Sequence, residues 1–385
     1  DMKRTIIQYT TVVLAFLAGM IFMTYMTRMG NRDMTGDMAQ AQLPVVYAEQ
    51  DGVLYNEMHG YVEDMDGASM RDSVIGVSED HKVGLALEKY NAQIKSVSYE
   101  VRSLDMSRLI EGGDDLQAED DGKYLHISLT LKDLLTQGEE YLLVLKVQTE
   151  DQDLVRFYSI LTYLGTNHVQ DCVDFAQRFH EMTLTGDSDG VLNYLEQDGS
   201  MDGKNLGYIN IHSRSGPVTW GDMQVVETGE TSLRFTELEG DITALTMEYQ
   251  VTNTETSEQY QVREAYRLRY TSTRIYLLAY ERWTDKILEP GRQLVGDGKL
   301  SFGIQSSEPV YMKNTEENVV GFVQQGQLWS YDYGQNRLSL VYGFTDGQDG
   351  RADWKEHDYR LLKVDDTGSM DFLLYGYMNR GRYEG

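Results

Sequence analysis

Apolar and polar residues alternate along most of this chain, and a two-residue period predicts strands. Ile94-Lys95-Ser96-Val97-Ser98-Tyr99-Glu100-Val101 alternates cleanly. Tyr124, His126, Ser128 and Thr130 stand against Leu125, Ile127, Leu129 and Leu131, after a turn at Asp121-Gly122. Val83, Leu85 and Leu87 alternate with Gly84, Ala86 and Glu88, while Tyr141–Val147 and Leu154–Tyr163 are continuous apolar runs. Five or more short strands at this spacing predict an antiparallel β-sandwich over 53–165, of immunoglobulin or fibronectin type. No Cys…Trp…Cys pattern accompanies it, so the expectation concerns architecture alone.

The period lengthens at Thr166. Val169, Cys172, Val173, Ala176, Phe179 and Met182 recur at helical spacing. A second short helix is expected over Gly190–Leu195. Strands are expected at Tyr208–His212, Val218–Val226, Leu233–Leu238, Leu245–Thr252, Tyr260–Tyr270 and Arg274–Trp283. Helices followed by a long meander give an α+β layer over 166–290. This order resembles the cone-shaped nuclear-transport-factor-like fold, or a cystatin-like one. The resemblance implies a concave face that can hold a small ligand. Pro290-Gly291 and Gly296-Asp297-Gly298 mark the next boundary. From there the chain reads strand-turn-strand: Val319–Val323, Gln327–Tyr331, Arg337–Tyr342, Tyr359–Val364 and Met370–Tyr377. This segment, 291–385, resembles blades of a β-propeller. Two blades cannot close a ring, so the pattern predicts a truncated propeller. The competing expectation is a small sheet docked on the middle segment.

Before these segments lies a different pattern. Thr5 to Thr27 holds no charged residue and is flanked by Lys3-Arg4 and Arg28. As a helix it would measure roughly 34 Å, against a hydrocarbon core of about 30 Å. The nearest A-x-A, Ala39-Gln40-Ala41, lies far beyond the run, so a retained transmembrane anchor over 1–30 is predicted rather than a cleaved signal. Basic residues flank both sides and nearly cancel as an orientation signal. The long domain behind the run favours an outside body. Residues 31–52, polar and Met- and Gln-rich, read as a tether. An N-terminal Asp in place of Met points to a chain that begins beyond its true start.

Charge sharpens this picture. The 385 residues carry a formal net charge of −28. Without Lys3, Arg4, Arg28, Arg32 and Asp1, 30 basic residues face 61 acidic ones, a net of −31. Such a surface repels nucleic acid and suits a solvated extracytoplasmic body. Cys172 is the single cysteine, which excludes an intrachain disulfide; its place on the apolar stripe predicts an inert buried thiol.

Chemical signatures are sparse. Seven scattered histidines form no H-E-x-x-H or H-x-H, and no phosphate-cradling glycine loop or G-x-S-x-G occurs. No catalytic, cofactor-binding or metal-ligating residue is assigned. His180-Glu181 with Asp171 and Asp174 reads as a solvated helix face. The acidic cluster Asp114, Asp115, Glu119, Asp120 and Asp121 reads as a solvated loop. Thr185-Gly186-Asp187-Ser188-Asp189-Gly190 with Glu196 approaches an EF-hand calcium loop, but Thr185 replaces its leading Asp. The expected reading is a turn in which Asp189 caps the next helix. Trp220, Trp283, Trp329 and Trp354 are expected on strand faces or in the core.

The whole chain resembles uncharacterised, single-pass, membrane-anchored extracytoplasmic proteins of Gram-positive anaerobes. The stretches that carry the resemblance are Asn56-Glu57-Met58-His59-Gly60, Ser98-Tyr99-Glu100-Val101-Arg102-Ser103 and Tyr375-Gly376-Tyr377-Met378-Asn379-Arg380-Gly381. It implies a location and no activity. The expected protein is a non-catalytic binding, scaffold or sensor-accessory component of the cell envelope. Its partners would be the membrane and an envelope protein or glycan, without a cofactor. The alternative is an envelope carbohydrate-active hydrolase or lyase.

Overall fold

The computed structural model describes residues 13–20, 41–70, 73–114, 116–132, 134–150, 154–166, 168–200, 205–288, 295–296, 299–344, 356–379 and 384. The fold is mainly β, built from several antiparallel sheets. Most of the run Thr5–Thr27 lies outside the described residues. Its residues 13–20 are helical, with Val13, Leu14, Phe16 and Leu17 exposed. Among the described residues no helix is long and apolar enough to cross a membrane.

Ten strands form the first segment: β1 (Val45–Gln50), β2 (Val53–His59), β3 (Val74–Ser78), β4 (Lys82–Glu88), β5 (Ile94–Arg102), β6 (Leu109–Gly113), β7 (Ala118–Asp120), β8 (Tyr124–Thr130), β9 (Glu140–Thr149) and β10 (Val155–Gly165). They make two five-stranded sheets, ordered β2-β1-β4-β8-β7 and β3-β10-β9-β5-β6. Val46, Ala48, Leu85 and Leu87 of one sheet share a core with Val97, Leu143, Leu145 and Phe157 of the other. That arrangement is compatible with a sandwich. One pair departs from the antiparallel expectation, because β3 runs parallel to β10. The acidic segment is solvent-exposed as expected, but part of it is strand: β7 includes Glu119 and Asp120, and Lys89 Nζ lies 2.7 Å from both Asp120 oxygens.

Of the tether expected over 31–52, residues 31–40 lie outside the described residues, and residues 41–52 belong to the first segment instead. Ala41, Leu43, Val45 and Val46 are all buried, and β1 lies between β2 and β4. Adjacent Val45 and Val46 are both buried, and the pairing with β2 slips between Val46 and Ala48, so the strand lacks the clean two-residue alternation by which strands are found. Asp51 (φ 50°) and Gly52 (φ 81°) close the two-residue β1–β2 hairpin, where both positions need the left-handed region.

The middle segment opens with the predicted helix, Val169–Thr185. It buries Val169, Cys172, Val173, Ala176 and Phe179 as expected, but also His180 and Thr183. Gly186 ends it in the left-handed conformation (φ 76°). The second helix is Ser188–Leu192, and its cap is Asp187, not Asp189: Asp187 Oδ1 accepts the Gly190 N–H at 2.9 Å. A five-stranded antiparallel sheet follows, β11 (Tyr208–Asn210), β12 (Val225–Glu239), β13 (Ile242–Asn253), β14 (Gln259–Tyr270) and β15 (Ile275–Lys286), ordered β11-β15-β14-β13-β12. Of the strand expected at Val218–Val226 only Val225 and Val226 are strand, at the start of β12; before them come a helical turn, Ser215–Val218, and a bend through Trp220 and Gly221, both at positive φ. Gly216-Pro217 and Gly221 interrupt an otherwise apolar reading there.

The first two segments share one core. Leu43 and Phe157 belong to the same buried cluster as Phe179, Phe235 and Tyr280. Asn56, fully buried at φ 54°, joins them directly. Its Nδ2 donates to Val74 O at 2.8 Å, and its Oδ1 accepts the Phe235 N–H at 2.7 Å.

The expected boundary at Pro290-Gly291 lies outside the described residues, as do Trp354 and most of the chain end. Beyond a two-stranded pair, β16 (Val295–Gly296) and β17 (Lys299–Leu300), comes a four-stranded antiparallel sheet in sequential order: β18 (Tyr311–Lys313), β19 (Val319–Gln324), β20 (Gln327–Asp332) and β21 (Arg337–Tyr342). A hairpin, β22 (Asp358–Val364) and β23 (Met370–Tyr375), follows. Phe322, Trp329 and Tyr331 form this segment's core with Leu288 and Val320.

Candidate functional site

Register places three rows of side chains on the inner face of the middle sheet. Leu245, Tyr266 and Tyr280 form one row; Met247, Glu264 and Arg282 the next; Tyr249, Val262 and Thr284 the third. The long helix lies across them, and its Phe179 and His180 point in. Glu264 and Arg282 are each 0% exposed. Burying two charges requires compensation, and the neighbours supply it. Glu264 Oε2 accepts from Tyr266 OH at 2.7 Å and lies 3.1 Å from His180 Nδ1, while Oε1 accepts from Tyr280 OH at 2.8 Å. His180 Nε2 lies 3.2 Å from Glu227, whose side chain is about one third exposed and links the cluster to solvent.

An imidazole with a carboxylate on each nitrogen is held as the imidazolium. Burial pulls the His180 pKa down, but the hydrogen bonds and charges of Glu264 and Glu227 outweigh it, and the net direction is up. Burial likewise pushes Glu264 up, yet His180, the Arg282 charge and Tyr266 hold it below the usual carboxylate value. Burial, then the Glu264 charge, drives Tyr266 and Tyr280 well above the ordinary phenol range. Two cations therefore balance two carboxylates inside the sheet. Arg282 donates to Val218 O and Pro217 O and lies 4.0 Å from the Trp220 ring. Among the described residues, Arg282 Nε, Trp220 Nε1 and Thr284 Oγ1 lack a hydrogen-bond partner. Both oxygens of the Glu264 carboxylate are thus bonded within the protein, and the group has no exposed surface.

The second concentration is open. Where the end of β2 meets β12 and the C-terminal segment, a cleft of about 70 Å³ is lined by Glu57, His59, Tyr61, Tyr158, Arg234, Glu356 and Tyr377, among others. Tyr377 OH donates to Gly60 O at 2.8 Å. The Tyr377 ring lies 4.9 Å from His59 and 5.3 Å from Tyr61, edge-on to the latter. His357 Nε2 lies 2.7 Å from Tyr377 O and so anchors that backbone. Gly60 admits no side chain, because a Cβ would stand 2.3 Å from Val155 Cγ1. Burial raises the Tyr158 pKa above its ordinary value, and its hydroxyl accepts Met65 N–H at 3.0 Å. The cleft joins the stretches 56–60 and 375–379, which are more than 300 positions apart in sequence. The third stretch, 98–103, lies elsewhere, where Glu100 binds Arg102 and Lys146.

Other expectations distribute as follows. Cys172 is buried, and burial pushes its thiol up. His180, expected on a solvated face, is buried; Asp174 and Asp171 remain outside, bonded to Gln170 and His168. A histidine on a helix gives no signal of a carboxylate 84 positions away. A glutamate amid the apolar face of β14, at Val262-Arg263-Glu264-Ala265-Tyr266, was the visible anomaly. Asp187 spends an oxygen on its cap. Among the described residues no group of three or more His, Cys, Asp or Glu is arranged to hold a metal ion.

No family model and no curated protein matches the chain. Among solved structures, an engineered protein aligns with 31% of this chain at 13% identity and a TM-score of 0.19; this chain spans 20% of that protein's length. CopC from Methylosinus trichosporium OB3b aligns over 28% of this chain and 99% of its own, at 15% identity and a TM-score of 0.18.

Proposed function

We propose that this chain is a membrane-anchored extracytoplasmic protein of the cell envelope that binds a partner, as a scaffold or sensor accessory, and is not a catalyst. The charge-free run Thr5–Thr27 supports the anchor, and the acidic chain behind it suits an outside body. The proposal includes kinship with the single-pass proteins of Gram-positive anaerobes. It also includes an immunoglobulin- or fibronectin-like first module, a cone-like middle one and propeller-like blades at the end. The stretches that carry the resemblance support the kinship.

One observation carries the non-catalytic reading. The strongest convergence of ionisable groups centres on Glu264, which is fully buried with both carboxylate oxygens bonded within the protein. The accessible cleft sets Tyr61, Tyr158 and Tyr377 beside Arg234 and His59, the tyrosine and arginine mixture that suits recognition. The hydrolase alternative draws on Glu57 and Glu356, which both line that cleft. At about 70 Å³ the cleft falls well below the roughly 300–1,000 Å³ of a ligand pocket, which speaks against an enclosed sugar subsite.

The test is crosslinking of the intact protein in its own membrane, followed by identification of neighbours. A specific neighbour is expected, and Tyr61→Ala with Tyr377→Ala should deplete it. Recovery of nothing above background, or release of reducing ends from envelope glycans by the purified protein, would refute the proposal.

A further inference from the structure

The outer face of the middle sheet carries an arrangement at odds with the chain's charge. Acids outnumber bases 62 to 34, so an exposed arginine has carboxylates in abundance to pair with. Arg267 does so, bonding Glu237 through two nitrogens at 2.9 and 2.8 Å. Its neighbours on the same face do not. Arg263 lies over the Trp283 ring at 4.3 Å, and Arg269 and Arg274 share the Tyr276 ring at 5.2 and 3.9 Å. All three are exposed, and none forms an ion pair among the described residues. Stacking fixes the plane of a guanidinium and leaves its N–H edges available for the two oxygens of a carboxylate.

We propose that this face of β14 and β15 docks an acidic polypeptide segment, with carboxylates on Arg263, Arg269 and Arg274. Arg263 and Arg269 are six positions apart on one strand, about 20 Å at ~3.4 Å per residue, the reach of roughly six extended residues. Glu248, across from Arg263, and Glu281, across from Ala265, lie on the same face. A flat anionic bilayer would press its charge on Glu248 and Glu281 together with the arginines. A polypeptide can place each carboxylate singly and lay its apolar side chains on Trp283 and Tyr276.

The inference rests on the reading of a binding protein but not on the junction cleft. The probe is a fluorescein-labelled decapeptide of alternating Glu and Thr, with the Gln-and-Thr version as control, titrated into the full chain by anisotropy. The Glu peptide should bind, the Gln peptide at least tenfold more weakly. R263Q/R269Q/R274Q should cost about tenfold, consistent with three exposed charge pairs. Arg274→Gln alone, which leaves Arg269 on Tyr276, serves if the triple variant melts early and should weaken binding about twofold. Equal binding of both peptides, no binding, or variants without effect overturn the inference. So does displacement of the peptide by phosphatidylglycerol vesicles with the same arginine dependence, which assigns the face to a membrane. The crosslinking test above stands or falls separately, since Tyr377→Ala should leave peptide binding unchanged.

Discussion

Replacing Glu264 by Gln keeps the shape of the buried side chain and removes its charge. The carboxylate accepts from Tyr266 and Tyr280, faces His180, and is the fully buried counter-charge to His180 and Arg282. Leaving two buried cations against only the part-exposed Glu227 should cost about 3–5 kcal/mol, the range for orphaning a buried charge. His180→Ala should cost a similar amount. In the double variant the imidazolium orphaned by Glu264→Gln is gone and only Arg282 stays uncompensated, so the loss should fall at least ~2 kcal/mol short of the sum. The assay is urea unfolding at pH 6, followed by tryptophan fluorescence. The pH profile adds an independent check. His180 is held above its usual 6.5, so its stabilisation is complete below about 6.5 and fades as pH rises through the raised value. Glu264 is held below its usual 4.5, so its stabilisation is complete above about 4.5 and fades as pH falls through the lowered value. Stability from this network should be greatest between those limits, and the alkaline decline should flatten in Glu264→Gln. Additivity of the two single variants within 0.5 kcal/mol, or an unchanged alkaline limb, would refute the coupled ion network.

Other outcomes follow from single contacts. Asn56→Ala removes the partners of buried Val74 O and Phe235 N–H, and should cost about 2–4 kcal/mol in chemical denaturation; a loss under 1 kcal/mol contradicts the role of Asn56 as a link between segments. Gly60→Ala forces a methyl against Val155 and should lower the melting temperature, with a cost of about 1–3 kcal/mol. Tyr377→Phe loses one hydrogen bond to Gly60 O, about 1 kcal/mol, and should leave far-UV circular dichroism unchanged. Asp187→Ala loses a helix cap worth about 1 kcal/mol; chelator should shift the melting temperature of neither it nor the parent, and a chelator-induced drop in the parent would restore the calcium loop.

Local pattern was enough for the β-rich class, the helix from Val169, the meander from Ile242 to Lys286 and the C-terminal hairpins, because each is written in the spacing of apolar residues along a contiguous stretch. It was enough for Cys172, whose stripe is a property of one helix. It failed at β1, where a register slip between Val46 and Ala48 breaks the alternation, and at Ser215–Gly221, where glycine and proline break an apolar run. It could not reach the Glu264–His180–Glu227 network or the cleft of His59 and Tyr377. Their members lie 37 to more than 300 positions apart and read locally as solvated helix, strand interior and chain end. Tertiary structure alone decided that they meet. Alternation tells a residue which face of its own strand it occupies, whereas the partner it finds there depends on sheet order, register and the docking of one core on another.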